Sequence, residues 1–397
     1  MTRRRSLFSR ATRFLGPVFL VAAAVLVLLL GCTARPVRIG FAGPLTGIYS
    51  DLGVQGRNGA TLAVEEINAR GGLATGGVGR SEMELIARDD GNDPDLARQV
   101  DEELYRLGVT AIIGHMTSQA SIAAVPLADE RGIVLLSPTS STPVLSDQKD
   151  MFFRIQGAMT EPARALGVWA AAEPGLDSII TIRDASNAAY GTPYSRVFSE
   201  AFRSAGGRIS GKIIFESRTV PEAEIMHTIA QAPDAVLVIA SARDTAGIAE
   251  RIRRGAPETR ILSSGWGATV ALLQQAGATA EGIIAARSVT VHDDSPAYQD
   301  FVEKYRRRFG STPSFAAVQG YDTVRVLAEA LKETGGGRRG LPEALVGISG
   351  FPGLYGPITL NETGDVRSSV GILEVRGGAF VPVDRQDAEG EGAVAGE

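Results

Sequence analysis

The sequence predicts an α/β protein of two lobes, each a parallel sheet flanked by helices, and three observations carry that prediction. Short β-rich runs alternate with longer segments of helical period from Val37 almost to the end of the chain, as in consecutive βαβ units. Most of those runs lack polar alternation, the pattern of strands buried on both faces. One sheet would have to carry too many of them to stay open, so two sheets in series are expected.

The elements follow in order. Predicted strands are Val37 to Ala42, Met83 to Ala87, Ala111 to Ile113, Ile133 to Ser137, Ser178 to Ile182, Arg208 to Phe215, Ala235 to Ile239, Arg260 to Leu262 and Ile283 to Ala286. Predicted helices are Gly56 to Ala69, Pro94 to Leu107, Ser195 to Ala205, Thr245 to Arg254 and Tyr298 to Phe309. In the last, Tyr298, Phe301, Val302, Tyr305 and Phe309 share one face, and Phe315, Val318, Tyr321, Val324, Ala328 and Leu331 do the same for the helix that follows. The first series ends near Arg154-Ile155-Gln156, a second begins at Thr160-Glu161-Pro162, and a short third block follows Val289. The cleft between the lobes is the expected ligand site, because open α/β sheets bind at the carboxyl ends of their strands and pockets favour domain interfaces.

The start of the chain reads as an export signal. Arg3, Arg4, Arg5, Arg10 and Arg13 precede an apolar run from Phe14 to Leu30, which closes on Leu29-Leu30-Gly31-Cys32. Those four residues resemble a lipobox, which makes Cys32 the expected site of lipidation and residues 1–31 a lipoprotein signal peptide. Cys32 is the single cysteine of the chain, so it has no internal disulfide partner. An uncleaved membrane anchor is the alternative. Arg4-Arg5-Ser6-Leu7-Phe8 weakly resembles a twin-arginine signal, while the apolar run favours the general secretion route. The formal net charge is −5; without the arginines of residues 1–31 it becomes about −10, which disfavours nucleic acid as a partner. Gln386 to Glu397 is Gly, Ala and acid without periodicity and reads as a disordered tail.

Catalytic signatures are missing. No phosphate-binding loop, dinucleotide fingerprint, nucleophile elbow or zinc-protease helix occurs. His115, His227 and His292 are scattered, so no metal site and no cofactor are expected. Asp89-Asp90 and Asp293-Asp294 read as solvated loop ends rather than acid/base pairs. An enzyme is not expected.

Two strand-to-helix junctions are rich in hydroxyls instead: Gly114-His115-Met116-Thr117-Ser118-Gln119-Ala120-Ser121 and Ser137-Pro138-Thr139-Ser140-Ser141-Thr142-Pro143. The first puts Ser118 at or near a helix N-cap, where its hydroxyl, free N–H groups and the helix dipole favour an anion. Simple capping accounts for one such serine, and two clustered loops at neighbouring strand ends point to a ligand.

Ile39-Gly40-Phe41-Ala42-Gly43-Pro44-Leu45-Thr46-Gly47, then Gly56 with Val64-Glu65-Glu66-Ile67-Asn68-Ala69-Arg70-Gly71-Gly72, resembles the opening of the leucine/isoleucine/valine-binding branch of type 1 periplasmic binding proteins. Asp89-Asp90 with Asp93-Pro94, Ile113-Gly114-His115, Ser137-Pro138, Tyr190-Gly191, Gly320-Tyr321-Asp322, Gly356-Pro357-Ile358, Asn361 and Gly364-Asp365 extend the similarity. The resemblance implies two Rossmann-like lobes joined by three hinge crossings, near Arg154 to Gln156, Ala286 to Ser288 and Tyr355 to Ile358. Lobe I would then be residues 36–155 plus 288–356 and lobe II residues 156–287 plus 357–384. It also implies roles: Ser118 for a ligand carboxylate, Thr139, Ser140 and Ser141 for the carboxylate and α-amino group, and Tyr190 closing from the second lobe.

Departures from the pattern bear on the ligand. Where amino-acid binders often place a glutamate against the ligand ammonium, this chain reads Ser263-Ser264-Gly265-Trp266-Gly267. Asp322 and Asp184 are the substitutes at hand, Arg243 is a candidate clamp for a second carboxylate, and Trp266 is a candidate wall. Leu52 stands where branched-chain binders carry an aromatic. The reading is a monomeric, lipid-anchored, extracytoplasmic solute-binding protein of an ABC importer, with a permease and ATPase as partners and a small carboxylate-bearing solute, an amino acid or relative, as ligand. A sensor of the same fold and an exported Rossmann-like enzyme are the alternatives.

Overall fold

The computed structural model of the chain describes residues 35–75, 79–216, 221–288, 295–367 and 369–383. The export-signal reading with Cys32, the positions His292 and Asp293-Asp294, and the tail 386–397 lie outside the described residues. Among the described residues no helix is long and apolar enough to cross a membrane.

The strands of the two main sheets and the helices are numbered in chain order. β1 (Val37–Gly43), α1 (Ser50–Ala69), β2 (Met83–Asp89), α2 (Pro94–Arg106), β3 (Ala111–Ile113), α3 (Ser118–Arg131), β4 (Val134–Ser137) and β5 (Phe152–Arg154) build the first lobe. Its sheet has the order β2-β1-β3-β4-β5, parallel throughout. Local chemistry sets the helix ends. Asp93 caps α2 by accepting from the N–H groups of Asp95 at 2.8 Å and Leu96 at 3.0 Å, with Pro94 opening the first turn. Thr117 caps α3, which ends at Gly132 in the left-handed conformation, φ 57°.

The chain then crosses to the second lobe: α4 (Thr160–Ala171), β6 (Ser178–Asp184), α5 (Ala188–Ser204), β7 (Arg208–Phe215), α6 (Glu222–Ile229), β8 (Ala235–Ile239), α7 (Ala242–Gly255), β9 (Arg260–Ser263), α8 (Val270–Ala276) and β10 (Ile284–Ser288). Every residue of β8 is fully buried, each large one contributing about 1.5–3 kcal/mol. That is why this strand shows no alternation in the sequence. α9 (Pro296–Phe309), α10 (Phe315–Glu333) and α11 (Leu341–Val346) return to the first lobe, where Phe301, Tyr305, Val324, Leu327 and Leu341 share its core with Ile39 and Phe41 of β1. β11 (Val370–Arg376) and β12 (Ala379–Pro382) close the second sheet, whose order is β12-β11-β10-β9-β8-β6-β7. These last two strands run antiparallel and carried no distinct sequence signal.

The crossings differ from the expected positions. Tyr355 to Ile358 is not a crossing: Phe351–Gly353 and Gly356–Ile358 form a hairpin, and Leu354, Ile358, Leu360 and Val366 are buried in the first-lobe core. Residues 357–366 therefore belong with lobe I, and the chain changes lobe between Val366 and Val370. Ala286 to Ser288 lie within β10, still paired with β11, so that crossing comes after Ser288. The position that the resemblance implies falls on a turn inside the lobe, and a Gly-Pro pair between β-rich residues marks a turn equally well inside a lobe and between lobes.

α1 starts at Ser50, well before the expected Gly56. Glycine is costly inside a helix by propensity, yet Gly56 and Gly59 let α1 meet α10 backbone to backbone, while Gly53 lies against the Pro44 carbonyl. A Cβ on Gly59 would lie 1.9 Å from the Ala317 carbonyl oxygen, and one on Gly320 2.1 Å from that of Gly56. Tertiary contact overrides propensity here, and the contact fixes α10 over the cleft.

Candidate functional site

The two hydroxyl-rich loops lie side by side at the carboxyl ends of β3 and β4, held there by one backbone atom. The carbonyl oxygen of His115 accepts from Ser137 Oγ at 2.7 Å, Ser140 Oγ at 3.1 Å and Ser121 Oγ at 3.3 Å, and Ser121 and Ser140 are 2.6 Å apart. Thr139 Oγ1 donates to the Met116 carbonyl at 2.5 Å. Several of the hydroxyls that suggested a ligand are thus internal struts.

Behind the loops sits a buried charge cluster. His115 Nδ1 is 2.6 Å from Asp90 Oδ2 and its Nε2 3.2 Å from Asp101 Oδ2, with all three side chains buried. Burial alone lowers the imidazole pKa, but the charge of Asp101 and the hydrogen bonds to Asp101 and Asp90 override it and push it up to about 10. Asp90 of the sequence's acid pair is therefore a structural group, not a solvated loop end. Asp89 does hold a loop: its carboxylate accepts from the N–H of Leu45 at 2.8 Å and the hydroxyl of Thr46 at 2.6 Å.

A cavity lies between the lobes. The first lobe contributes Leu52, Met116, Thr117, Ser118, Thr139 and Ser141, and α10 adds Phe315 and Gln319. The second lobe contributes Asn187, Tyr190, Gly265, Trp266, Ala286 and Arg287, with Gln156, Gly157 and Met159 on the first crossing. About 80 Å³ is open to the centres of water molecules; since roughly 10–15 Å³ holds one water, the space admits several waters or a solute of that bulk. Gln319 Nε2 donates to Gln156 Oε1 at 3.0 Å, tying the crossing to α10.

The second lobe supplies the aromatic wall. Tyr190 and Trp266 meet edge to face at 5.7 Å, and Trp266 lies 5.6 Å from Tyr49 of the first lobe. Tyr49 Oη donates to Asp184 Oδ2 at 2.5 Å, a buried bond from lobe to lobe. Burial, then the Asp184 charge, raises the Tyr49 phenol above its ordinary range, and burial does the same to Tyr190.

Of the residues singled out in the sequence, Ser118, Thr139, Ser141, Tyr190 and Trp266 line this cavity. Three do not. Ser140 is buried in the hydroxyl web against His115. Asp322 is buried, accepting from Arg325 Nη1 at 2.7 Å and Leu354 N–H at 2.6 Å; burial raises its pKa to about 6 against the opposing pull of Arg325. It anchors the hairpin instead of facing a ligand. Arg243 is exposed in the first turn of α7, away from the cavity lining. Ser118 is the first residue of α3 and Thr117 the cap, through Ala120 N–H at 3.4 Å. Sequence reasoning missed Tyr49, Asn187, Met116, Phe315 and Gln319. Met116 stands in the first hydroxyl-rich segment without a polar group to mark it; Asn187, Phe315 and Gln319 reach the cavity only by the packing of separate elements, and Tyr49 packs behind its Trp266 wall. Among the described residues no group of three His, Cys, Asp or Glu side chains is placed to hold a metal ion.

Comparisons with known proteins agree with this architecture. A family model described as periplasmic binding protein matches residues 36–379. The Leu/Ile/Val-binding protein of Escherichia coli is 22% identical over 340 residues, 84% of this chain and 89% of the relative. A leucine binding protein from Thermotoga maritima superposes with a TM-score of 0.78 at 24% identity, covering 88% of this chain and 98% of that one. A solute binding protein of an ABC transporter from Rhodopseudomonas palustris, in complex with 3,4-dihydroxybenzoic acid, superposes with a TM-score of 0.77 at 26% identity, covering 88% and 96%.

Proposed function

The chain belongs to the periplasmic binding protein family, and on that premise we propose that it is a solute receptor of an ABC importer that captures a small carboxylate between its lobes without turning it over. The observation that carries the proposal is the interlobe cavity, in which Ser118, Thr139 and Ser141 meet the start of α3 on one side and Tyr190 and Trp266 face them from the other. N–H groups in the first turn of a helix have no intrahelical acceptor, and the dipole adds partial positive charge, so a carboxylate fits there. The Escherichia coli relative is named for leucine, isoleucine and valine, and the Rhodopseudomonas palustris protein holds an aromatic acid. Both ligands carry a carboxylate. Lobe motion about the crossings would admit and enclose the solute, as hinge closure does in this architecture.

Titrating purified protein with small carboxylates, with mass spectrometry of both components afterwards, tests the proposal. Binding with the solute recovered unchanged is expected, and conversion of the solute would refute it. Ser118→Ala is expected to weaken the carboxylate by about 1–3 kcal/mol through loss of a buried hydrogen bond; unchanged affinity would remove that serine from the site. The anchor is proposed at Cys32. Cells expressing Cys32→Ala should release the protein into the soluble fraction and show no incorporation of labelled fatty acid, and continued labelling would exclude this cysteine.

A further inference from the structure

The walls of the cavity hold an imbalance of charge. Among the described residues lining it there is one cation, Arg287, and no aspartate or glutamate. Arg287 has no carboxylate partner among the described residues, and its guanidinium lies 5.9 Å from the Phe380 ring. Among the described residues no acid outside the lining is turned into the cavity by the contacts it makes, and three of them have partners of their own. Asp184 accepts from Tyr49 and from the N–H of Ser186 at 2.8 Å; Asp322 is held by Arg325 and Leu354; Asp244 accepts from Ser241 Oγ at 2.9 Å; Asp51 is exposed at the start of α1, outside the lining. Around the remaining space stand Leu52, Met116, Phe315 and Trp266.

Resting on the carboxylate-receptor reading, we infer that the ligand is a carboxylate with an apolar body and no ammonium group, an organic acid rather than an amino acid. An ammonium taken from water into this cavity would lose its hydration and find no opposite charge, with Arg287 repelling it. Serine and threonine hydroxyls with free helix N–H groups satisfy a carboxylate instead. Neutral polar groups of the second lobe do not restore the balance. Asn187, 4% exposed, has an Oδ1 without a hydrogen-bond partner, and this acceptor suits a ligand hydroxyl, whose donation brings no charge to be neutralised.

Matched pairs of ligands test the inference by calorimetry on the purified chain. In each pair, 4-methylpentanoate against leucine and 3-phenylpropanoate against phenylalanine, the acid without the ammonium is expected to bind at least tenfold tighter. Equal or tighter binding of the amino acid would overturn the inference while leaving a carboxylate receptor in place. Binding by neither member of any pair, with 3-methylbutylamine bound instead, would overturn the receptor reading itself and this inference with it. Asn187→Asp places a carboxylate in the same wall at nearly constant shape, and the preference should narrow by about tenfold or reverse; a preference that stays the same would show that cavity charge is not what discriminates.

Discussion

His115→Ala is expected to destabilise the protein by about 3–5 kcal/mol, the cost of removing one partner from a buried charge network. Asp90 and Asp101 would be left facing each other in the core with their shared cation gone. The effect should reach the binding loops as well, because the His115 carbonyl is the common acceptor for Ser121, Ser137 and Ser140, so any shift of this backbone displaces Ser118 and Thr139. The sign of the pH dependence follows from the direction of the shift. The imidazole is raised from 6.5 to about 10 on folding, so the stabilisation it brings is fully present below pH 6.5 and is lost as pH rises toward 10. Urea unfolding of the wild type and of His115→Ala at pH 6, 8 and 10 checks this. The gap between them should shrink across the series, and a constant gap would mean that the imidazole is neutral in the folded protein.

Arg154→Ala should be comparably severe, again about 3–5 kcal/mol. The guanidinium is 1% exposed and saturated with acceptors: Asp365 Oδ1 at 2.7 Å, the Thr142 carbonyl at 2.8 Å and Ser146 Oγ at 2.6 Å. It joins the last strand of the first sheet to the loop carrying Thr139 and Ser141 and to the segment just before the final crossing. Truncation leaves Asp365 without its cation beside a hinge. The double variant Arg154→Ala/Asp365→Asn should recover a large part of the loss, because the second change removes the stranded charge. Additive losses in thermal or urea unfolding would mean that the pair is not energetically coupled.

The architecture was legible because its signals are local. Apolar runs such as Ala235 to Ile239 identify strands buried on both faces whatever lies around them. The helix Pro296–Phe309, capped by Ser295 and closed by Gly310, was expected over Tyr298 to Phe309, its C-terminal end marked by the glycine and its start missed by two residues. Element bounds differ where packing overrules local preference: α1 begins at Ser50, before the expected Gly56, and its Gly56 and Gly59 are the contact surface for α10, and α5 begins at Ala188 in spite of Pro193 because Tyr190, Tyr194, Phe198 and Phe202 pack its inner face.

What the sequence determined by itself was the two-lobe α/β plan, the clustering of hydroxyls at the ends of β3 and β4, and the absence of a glutamate in the Ser263-Ser264-Gly265 stretch. Each is a property of neighbouring residues. Which of those hydroxyls face the cavity was decided by tertiary structure alone. Ser118, Thr139 and Ser141 line it while Ser121, Ser137 and Ser140 are consumed by one carbonyl, and that division depends on the mutual placement of two loops more than fifteen residues apart. The same holds for Arg243, Asp322 and Tyr49: a charged or aromatic side chain has the same local signature whether it meets solvent, a structural partner or a ligand, and only the fold supplies its surroundings.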